Sequence, residues 1–415
     1  MSPGETSTRR PASGGVTAPQ GFLASAVRAG IKREGLDLAL LFSEREASAA
    51  GIFTCNAMAA PPVLLCRERV LSGKARAVVM NSGNANACTG EEGERDALAM
   101  TRRTAQALGL PDDGQVLAAS TGIIGHPLPM GKIQNAIPAA VAALDAKGGE
   151  EAARAILTTD TVPKLTVLEL DLSGGRVCVG GMAKGAGMIR PRLVSPEKLP
   201  PHATMLGFLT TDARVEAAAL QAMLEEAAEG TFNSITVDGE TSTNDMVLLL
   251  ANGASGVGVS SPEDRNALRG AIEEVCRVLA HAIVRDGEGA TKFITVRVSG
   301  AADNLQARRA AFAVADSNLV KTALFGNDAN WGRIVSAAGA CGAAMRPEAV
   351  RAALNGVETF GGGHANPKGG EALAEGLKGR EVQIDIDMGV ADGAATVWTC
   401  DLSYEYVRIN AEYHT

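Results

Sequence analysis

Cysteine and histidine are few and scattered along the chain, and their spacing excludes several kinds of site. The seven cysteines include no CxxC pair, and an odd, dispersed set does not fit a disulfide framework. The five histidines form no HExxH motif, so no zinc site is expected. We therefore predict a protein of a reducing compartment that holds no metal.

Aromatic side chains, net positive charge and long apolar runs are also lacking. Aromatics make up 3% of the chain, and the net charge of −8 leaves no electrostatic footprint for nucleic acid. No apolar run approaches the ~20 residues that a transmembrane helix needs. Residues 1–20 contain prolines and glycines but no apolar core of a secretory signal, so we predict a flexible tail on a cytoplasmic protein.

Glycine is the abundant residue, at 48 of 415 positions, and it lacks the three-residue period that collagen requires. The glycines are therefore expected in turns and at close backbone approaches.

Nucleotide-binding motifs are missing as well. There is no P-loop, and Gly185-Ala186-Gly187 does not continue as GxGxxG because Arg190 occupies the last position. A Rossmann or P-loop protein is disfavoured.

Strand-like and helix-like stretches alternate along the chain. Apolar residues at every second position from Val382 to Met388 predict a strand, and the same period recurs around Leu170 and Val296. Between Pro262 and Asp286, apolar residues recur every three or four positions, which predicts a helix with Ser261 as its N-cap. The predicted fold class is α/β or α+β in layers, with mixed or antiparallel sheets.

A segment with four prolines, residues 185–207, predicts an extended and exposed stretch of chain. Thr204 lies near its end, just before the apolar run Met205–Leu209. If the Ala203–Thr204 bond were broken, Thr204 would gain an α-amine that titrates at about pH 8 and could serve as base for its own hydroxyl. Taken alone, Thr204 also fits an ordinary threonine at the start of a strand.

Ser120-Thr121-Gly122 and Lys184 are further candidates for a polar pocket. A glycine after the apolar run Val116–Ala119 lets backbone N–H groups approach a developing oxyanion, and a threonine adds a hydroxyl donor. Lys184 lies between small residues and could hold a carboxylate. Taken alone, the first motif also fits an ordinary strand-to-turn glycine, and the second a surface lysine.

As a set, the polar clusters resemble the ornithine acetyltransferase (bifunctional glutamate N-acetyltransferase) family of arginine biosynthesis. The resemblance covers nearly the whole chain, from Gly21-Phe22 to the C-terminal INAEYHT. It rests on motifs in a fixed order: NSGNANACTG at 81–90, ASTGIIG at 119–125, TTDT at 158–161, MAKGAG at 182–187, HATML at 202–206, DGETSTND at 238–245, RDGEGATK at 285–292 and GNDANWGR at 326–333.

The resemblance implies a layered αββα-type arrangement like that of N-terminal nucleophile hydrolases, with different connectivity. It also implies a precursor that cleaves itself between Ala203 and Thr204. The fragments, 21–203 behind the flexible tail and 204–415, would form one intertwined enzyme and assemble as an α2β2 heterotetramer.

By the same resemblance, Thr204 is the nucleophile of cleavage and of acyl transfer. It would take the acetyl group of N2-acetyl-L-ornithine as an ester and pass it to L-glutamate in a ping-pong scheme. Thr121 and Gly122 match the oxyanion-stabilising pair. The positions that match substrate-binding residues are Thr158, Lys184, Thr204, Glu288, Asn410 and Thr415. No cofactor is implied, and acetyl-CoA as an additional donor stays open.

The sequence departs from the family's pattern in two places. The stretch between Lys184 and Thr204 is longer by several residues, at 190–202, and Ala329 replaces a proline common in the GNDxNWGR motif. Two other functions stay in view, the first because it uses the same nucleophile and the second because the segment before the cleavage bond is altered. One is an amidohydrolase or aminopeptidase, in which water resolves the same acyl-enzyme; the other is an uncleaved, non-catalytic binding protein.

Overall fold

A computed structural model describes residues 9–11, 14–54, 56–196, 205–366 and 375–412. The chain divides into two compact units, one of residues 1–233 and 240–283, the other of residues 234–239 and 284–415. These units are defined by packing, whereas the fragments 21–203 and 204–415 are defined by cleavage of one bond. The fragment boundaries therefore stay a prediction.

The first unit is built on a nine-stranded sheet in the part of the chain that is described. Its strands are β1 (Arg9–Pro11), β2 (Phe22–Val27), β3 (Leu38–Phe53), β4 (Lys74–Asn84), β5 (Val116–Ile123), β6 (Lys164–Leu172), β7 (Gly175–Lys184), β8 (Leu206–Thr211) and β9 (Met246–Ala251). Its helices are α1 (Pro61–Arg69), α2 (Gly90–Leu108), α3 (Met130–Ala142), α4 (Gly149–Ala155), α5 (Ala217–Glu229) and α6 (Pro262–Arg285), the last of which ends in the second unit.

The strand order in this sheet is β1-β6-β7-β8-β9-β3-β4-β5, with β2 paired to β3. The pairs β4–β5 and β8–β9 are parallel, and the other pairs are antiparallel. Both faces are buried: Val78 and Met80 pack into one core with Phe208, while Val79 packs into another with Ile137 of α3. Burial on both faces explains why these strands are nearly continuous apolar runs.

The second unit contains a smaller mixed sheet of order β13-β12-β11-β14-β10-β15. Its strands are β10 (Phe293–Ala301), β11 (Arg351–Leu354), β12 (Val357–Gly361), β13 (His364–Ala365), β14 (Glu381–Asp387) and β15 (Gly393–Cys400). The helices of this unit are α7 (Asn304–Ala315), α8 (Asn318–Phe325), α9 (Trp331–Gly339) and α10 (Tyr404–Glu412). Val296 and Ile384 pack against Val314 of α7, whereas Arg297 lies on the exposed face.

The predicted layered α/β class with mixed sheets is confirmed in each unit. The periodic segments around Leu170, Val296 and residues 382–388 are β6, β10 and β14. The long helix α6 begins as predicted, because the Ser261 hydroxyl accepts a hydrogen bond from the Asp264 N–H at 3.0 Å. Such a cap satisfies one of the N–H groups that a helix start leaves without a partner. Among the described residues, no helix is both long and apolar enough to cross a membrane.

The prediction of an exposed proline-rich segment is wrong for its described parts, residues 185–196 and 205–207. Ile189 and Leu193 are buried, and Val194 forms an isolated bridge with Phe53. The Leu193 N–H donates to the Asn233 side-chain oxygen, and the Asn233 amide donates to the Leu193 carbonyl at 2.9 Å. The prolines do prevent regular structure, but the Asn233 amide satisfies the backbone of Leu193, and the side chains of Ile189 and Leu193 are buried.

Candidate active site

Thr121 and Gly122 lie near the end of β5, where its parallel neighbour β4 contributes Gly83 opposite Gly122. Gly122 has a φ of +134°, and a Cβ at this position would lie 2.3 Å from the Gly83 carbonyl carbon. Only glycine permits both the positive φ and this close backbone approach. The sequence therefore fixes a crowded turn of bare backbone immediately after the buried Thr121 side chain.

Lys184 is the last residue of β7, and its buried side chain joins two of the other predicted site residues. Its ammonium group donates to the Thr158 hydroxyl at 2.9 Å and to the Thr121 hydroxyl at 3.2 Å. Three residues that are distant in sequence, Thr121, Thr158 and Lys184, thus form one hydrogen-bonded cluster. Lys184 is not a surface lysine.

Asp160 completes this cluster, although its carboxylate was not among the predicted site residues. It accepts from the Lys164 ammonium at 2.7 Å, from the Gly185 N–H at 2.6 Å and from the Thr158 N–H at 3.2 Å. The oxygen that accepts from Thr158 also lies 3.8 Å from the Lys184 ammonium, whereas Lys164 and Gly185 donate to the other oxygen. Asp160 therefore fixes the backbone on which Thr158 and Lys184 stand.

The charge of Asp160 is maintained despite its burial. Burial raises the pKa of the carboxyl, but the ammonium groups of Lys184 and Lys164, with the hydrogen bonds from Lys164 and Gly185, outweigh that effect and bring the pKa to about 2. The sequence offered one signal for this residue, since Asp160 lies four positions before Lys164 within the TTDT cluster.

Asn244 and Asp245, from the DGETSTND cluster, lie at the start of β9 and were also not predicted as site residues. The Asn244 amide donates to the carbonyls of Ser120 (2.9 Å) and Ala85 (2.5 Å), which fixes the turn that carries Thr121. Among the residues that the structure describes, neither carboxyl oxygen of the buried Asp245 has a hydrogen-bond partner. Burial raises the pKa of Asp245 well above its ordinary value, against the opposing influence of Lys184, so its neutral form is favoured.

Thr204, Ala203 and Thr415 lie outside the described residues. The residue after Thr204, Met205, has a carbonyl that accepts from the Met246 N–H at 3.0 Å. Leu206, the first residue of β8, pairs with Lys184 on one side and with Met246 on the other. The chain that follows the predicted cleavage bond therefore enters the sheet directly beside Lys184.

Glu288 and Asn410 are predicted substrate-binding residues of the second unit, and they contact each other. The Asn410 amide of α10 donates to the buried Glu288 carboxylate at 2.7 Å and to the Tyr406 carbonyl at 3.0 Å. Gly289 has a φ of +68°, and a Cβ there would lie 2.6 Å from the Tyr406 nitrogen. A glycine at this position lets α10 approach the Glu288 turn closely.

The described residues contain no group of three His, Cys, Asp or Glu side chains placed to hold a metal ion. What the first unit does offer is a buried ammonium, two threonine hydroxyls, the buried carboxyl of Asp245 and a glycine turn without side chains. This combination suits a small polar ligand with a carbonyl or carboxylate group.

These features define the chain as a layered α/β protein with a cationic and hydroxyl-bearing polar site. Comparison with known proteins gives its family. The ArgJ family model matches residues 23–415. The arginine biosynthesis bifunctional protein ArgJ of Symbiobacterium thermophilum is 49% identical over 407 residues, which cover 97% of this chain and 99% of that protein. The protein of the same name from Geobacter sulfurreducens is 47% identical, with 95% of this chain and 99% of that protein covered.

A crystal structure from Mycobacterium tuberculosis, described as ornithine acetyltransferase complexed with ornithine, is 44% identical to this chain. It covers 45% of this chain and 100% of its own, with a TM-score of 0.43. From the family match and the two relatives, the chain belongs to the ArgJ family.

Proposed function

We propose that this protein is an acyltransferase of arginine biosynthesis that moves the acetyl group of N2-acetyl-L-ornithine to L-glutamate. The observation that carries the proposal is the position of Lys184. Its buried ammonium, at the end of β7, donates to the Thr121 and Thr158 hydroxyls. β7 pairs with β8, the strand that begins just after Thr204. Membership of the ArgJ family supports the same reaction.

Thr204 is the nucleophile once the Ala203–Thr204 bond is broken. The free α-amine of Thr204 takes the proton of its own hydroxyl as the hydroxyl oxygen attacks the acetyl carbonyl. The tetrahedral oxyanion collapses to an acetyl-Thr204 ester, and ornithine leaves with that proton on its α-amine. The neutral α-amine of glutamate then attacks the ester, forms the amide of N-acetyl-L-glutamate and gives its proton back to the threonine oxygen.

Thr121 and Gly122 stabilise the oxyanion in this scheme. Lys184 donates to the Thr121 oxygen, so the hydroxyl proton of Thr121 is directed away from the lysine. A hydroxyl polarised in this way is a strong donor toward a developing negative charge. The N–H of Gly122, in the crowded turn that excludes any side chain, is the second donor.

Lys184 and Thr158 bind the α-carboxylate that donor and acceptor share. Glu288, fixed by the Asn410 amide, binds the δ-ammonium of the ornithine moiety, with the C-terminal Thr415 as a further contact. A buried carboxylate that keeps acceptor capacity after one neutral hydrogen bond is suited to a substrate cation.

The two fragments stay together after cleavage because β7 and β8 lie on opposite sides of the cleavage bond and pair in one sheet. Their antiparallel register runs from Val179 opposite Thr211 to Lys184 opposite Leu206. Removing one peptide bond between two such strands leaves their hydrogen bonds intact.

We propose that the fragments 21–203 and 204–415 assemble as an α2β2 heterotetramer in the cytoplasm. The reaction needs no bound cofactor, because Thr204 itself carries the acetyl group, and acetyl-CoA would enter only as an alternative donor.

Two measurements on the purified protein test the proposal. Intact mass spectrometry should find a fragment that begins at Thr204. An assay with acetylornithine should release N-acetylglutamate when glutamate is present. Free acetate formed at the same rate without glutamate would instead show a hydrolase, and a persistent full-length chain without turnover would show a binding protein.

Thr204→Ala should give an uncleaved, inactive chain, and Thr204→Ser, which keeps a hydroxyl, should retain cleavage. Replacing acetylornithine with acetyl-CoA in the same assay tests the second donor.

A further inference from the structure

Lys32 stands on a short loop that a single buried carboxylate holds in place. Both oxygens of Asp37 accept backbone N–H groups of residues 29–32, at distances of 2.5–3.0 Å. Four hydrogen bonds to one ionised group make a rigid loop, because each bond to a charged acceptor is stronger than a neutral one. The Lys32 side chain therefore projects from a fixed base.

The Lys32 side chain reaches the residues of the proposed active site from the opposite end of the sequence. The Lys32 Cγ atom would lie 2.8 Å from a Cβ built on Gly83. The backbone of Gly83 in turn leaves no room for a Cβ on Gly122. The Lys32 ammonium donates to the Leu157 carbonyl at 3.1 Å, one residue before Thr158. Lys32 thus lies between the turn proposed to hold the oxyanion and the loop between α4 and β6 that carries Thr158.

Lys32 lies near two other ammonium groups. Among the described residues, the ammonium groups of Lys32, Lys164 and Lys184 lie around two carboxylates, Asp37 and Asp160, and Asp37 already accepts four backbone N–H groups. An anion bound beside Lys32 and Lys184 would add a counter-charge for both ammonium groups.

The ionisation of Lys32 agrees with this geometry. Burial lowers the pKa of Lys32, Asp37 raises it, and the nearby Lys184 lowers it again. Mutual repulsion of two ammonium groups is what a shared anion would remove.

We infer that Lys32 is a second substrate-binding cation, which together with Lys184 holds the α-carboxylate of both the acetyl donor and the acceptor. The inference rests on the proposed function. In both substrates the α-carboxylate is attached to the carbon that bears the reacting nitrogen. A cation beside the Gly83–Gly122 turn is therefore placed for this carboxylate and not for a group at the far end of the side chain.

The test compares Lys32→Met and Lys32→Gln with Lys132→Met in the full-length, self-processed enzyme. Lys132 is a matched control because its exposed ammonium donates to the Gly30 carbonyl of the same loop at 2.7 Å. We expect each neutral Lys32 variant to raise KM for acetylornithine and for glutamate by roughly 10- to 100-fold, the effect of losing a hydrogen bond to a charged group. Lys132→Met should leave both values within about twofold, since exposed polar contacts contribute little.

A modified acceptor separates binding from a general structural role. The α-carboxamide of glutamate should be a much poorer acceptor than glutamate for the wild type, and the penalty should be clearly smaller in Lys32→Met, in which Lys184 is the remaining cation for the carboxylate. An equal penalty in both proteins, or a KM increase for only one substrate, would overturn the inference. If the wild type itself transferred no acetyl group, the proposed function would fail first, and the two failures are therefore distinguishable.

Discussion

Lys164 and Asp160 form a buried ion pair, with their charged atoms 2.7 Å apart and their side chains 1% and 0% exposed. The pair spans four positions of sequence, from the TTDT turn to the first residue of β6. Lys184 at the end of β7 lies 3.8 Å from the same carboxylate. The Asp160 carboxylate therefore interacts with two lysine ammonium groups. One of these belongs to Lys184, the central residue of the proposed acyl-transfer site.

Asp160→Asn should destabilise the protein by about 3–5 kcal/mol, because it removes a buried carboxylate that interacts with two buried ammonium groups. Urea unfolding of the variant and the wild type measures the difference. Asp171→Asn is the matched control: Asp171 pairs with Arg176 at 3.0 Å on the surface, where such pairs contribute about 0–1 kcal/mol. A loss at Asp160 no larger than that at Asp171 would contradict the assigned role.

The same carboxylate should make stability depend on pH in the acid range. Its pKa is about 2 in the folded protein and 3.8 ordinarily, so the unfolded chain binds the proton first as pH falls. The contribution of Asp160 is fully present above about pH 5 and is lost as pH falls through 3.8 toward 2. Unfolding free energies of wild type and Asp160→Asn should converge over this range, and a constant difference would argue against the ionised pair.

Asp245 should show the opposite dependence. Because its folded pKa lies well above 3.8, the folded protein keeps a proton that the unfolded chain releases, and stability falls as pH rises above 3.8. The slope approaches about 1.4 kcal/mol per pH unit between the two pKa values. Asp245→Asn, which is neutral at every pH, should therefore gain stability relative to the wild type between pH 4 and pH 7. Parallel unfolding curves across that range would show that Asp245 is ionised.

Gly122→Ala should disrupt the turn that carries the proposed oxyanion donor. The added Cβ would lie 2.3 Å from backbone, and the φ of +134° is strained for alanine. Gly125→Ala separates the two effects, because Gly125 also has a positive φ, +88°, but has open space around its Cβ position. We expect roughly 1–2 kcal/mol of destabilisation at Gly125 and clearly more at Gly122, measured by thermal unfolding. Equal losses would mean that the backbone at Gly122 can move.

Hydrophobic periodicity predicted the helices and strands in which apolar residues recur on one face. Helix α6 with its Ser261 cap, and the strands β10 and β14, have a strong period and one face toward a core. The resemblance to known motifs supplied Thr121, Thr158 and Lys184, which the fold brings together. Hydrophobic periodicity alone would not have predicted that these three residues lie together, because they come from three different segments of the chain.

The features that sequence reasoning missed depend on tertiary contacts. Asp160 is kept ionised in part by Lys184, which is distant in sequence, and burial in the folded chain raises the pKa of Asp245. The burial of residues 185–196 was missed for a related reason. Prolines indicate irregular backbone, but only the packed structure shows that Asn233 satisfies the backbone of Leu193.

Thr121→Val should separate the hydroxyl donor from the shape of the site. Valine matches threonine in volume but lacks the hydroxyl, so the Lys184 ammonium loses one acceptor and the proposed oxyanion loses one donor. We expect kcat for acetyl transfer to fall by about 100- to 1,000-fold, the usual cost of removing one such donor, with a smaller change in KM. Thr121→Ser should restore most of the rate. Thr322→Val serves as control, since the exposed Thr322 hydroxyl donates only within its own helix, to Asn318 and Leu319. If Thr121→Val kept more than a tenth of the wild-type kcat, the oxyanion role of the hydroxyl would be rejected.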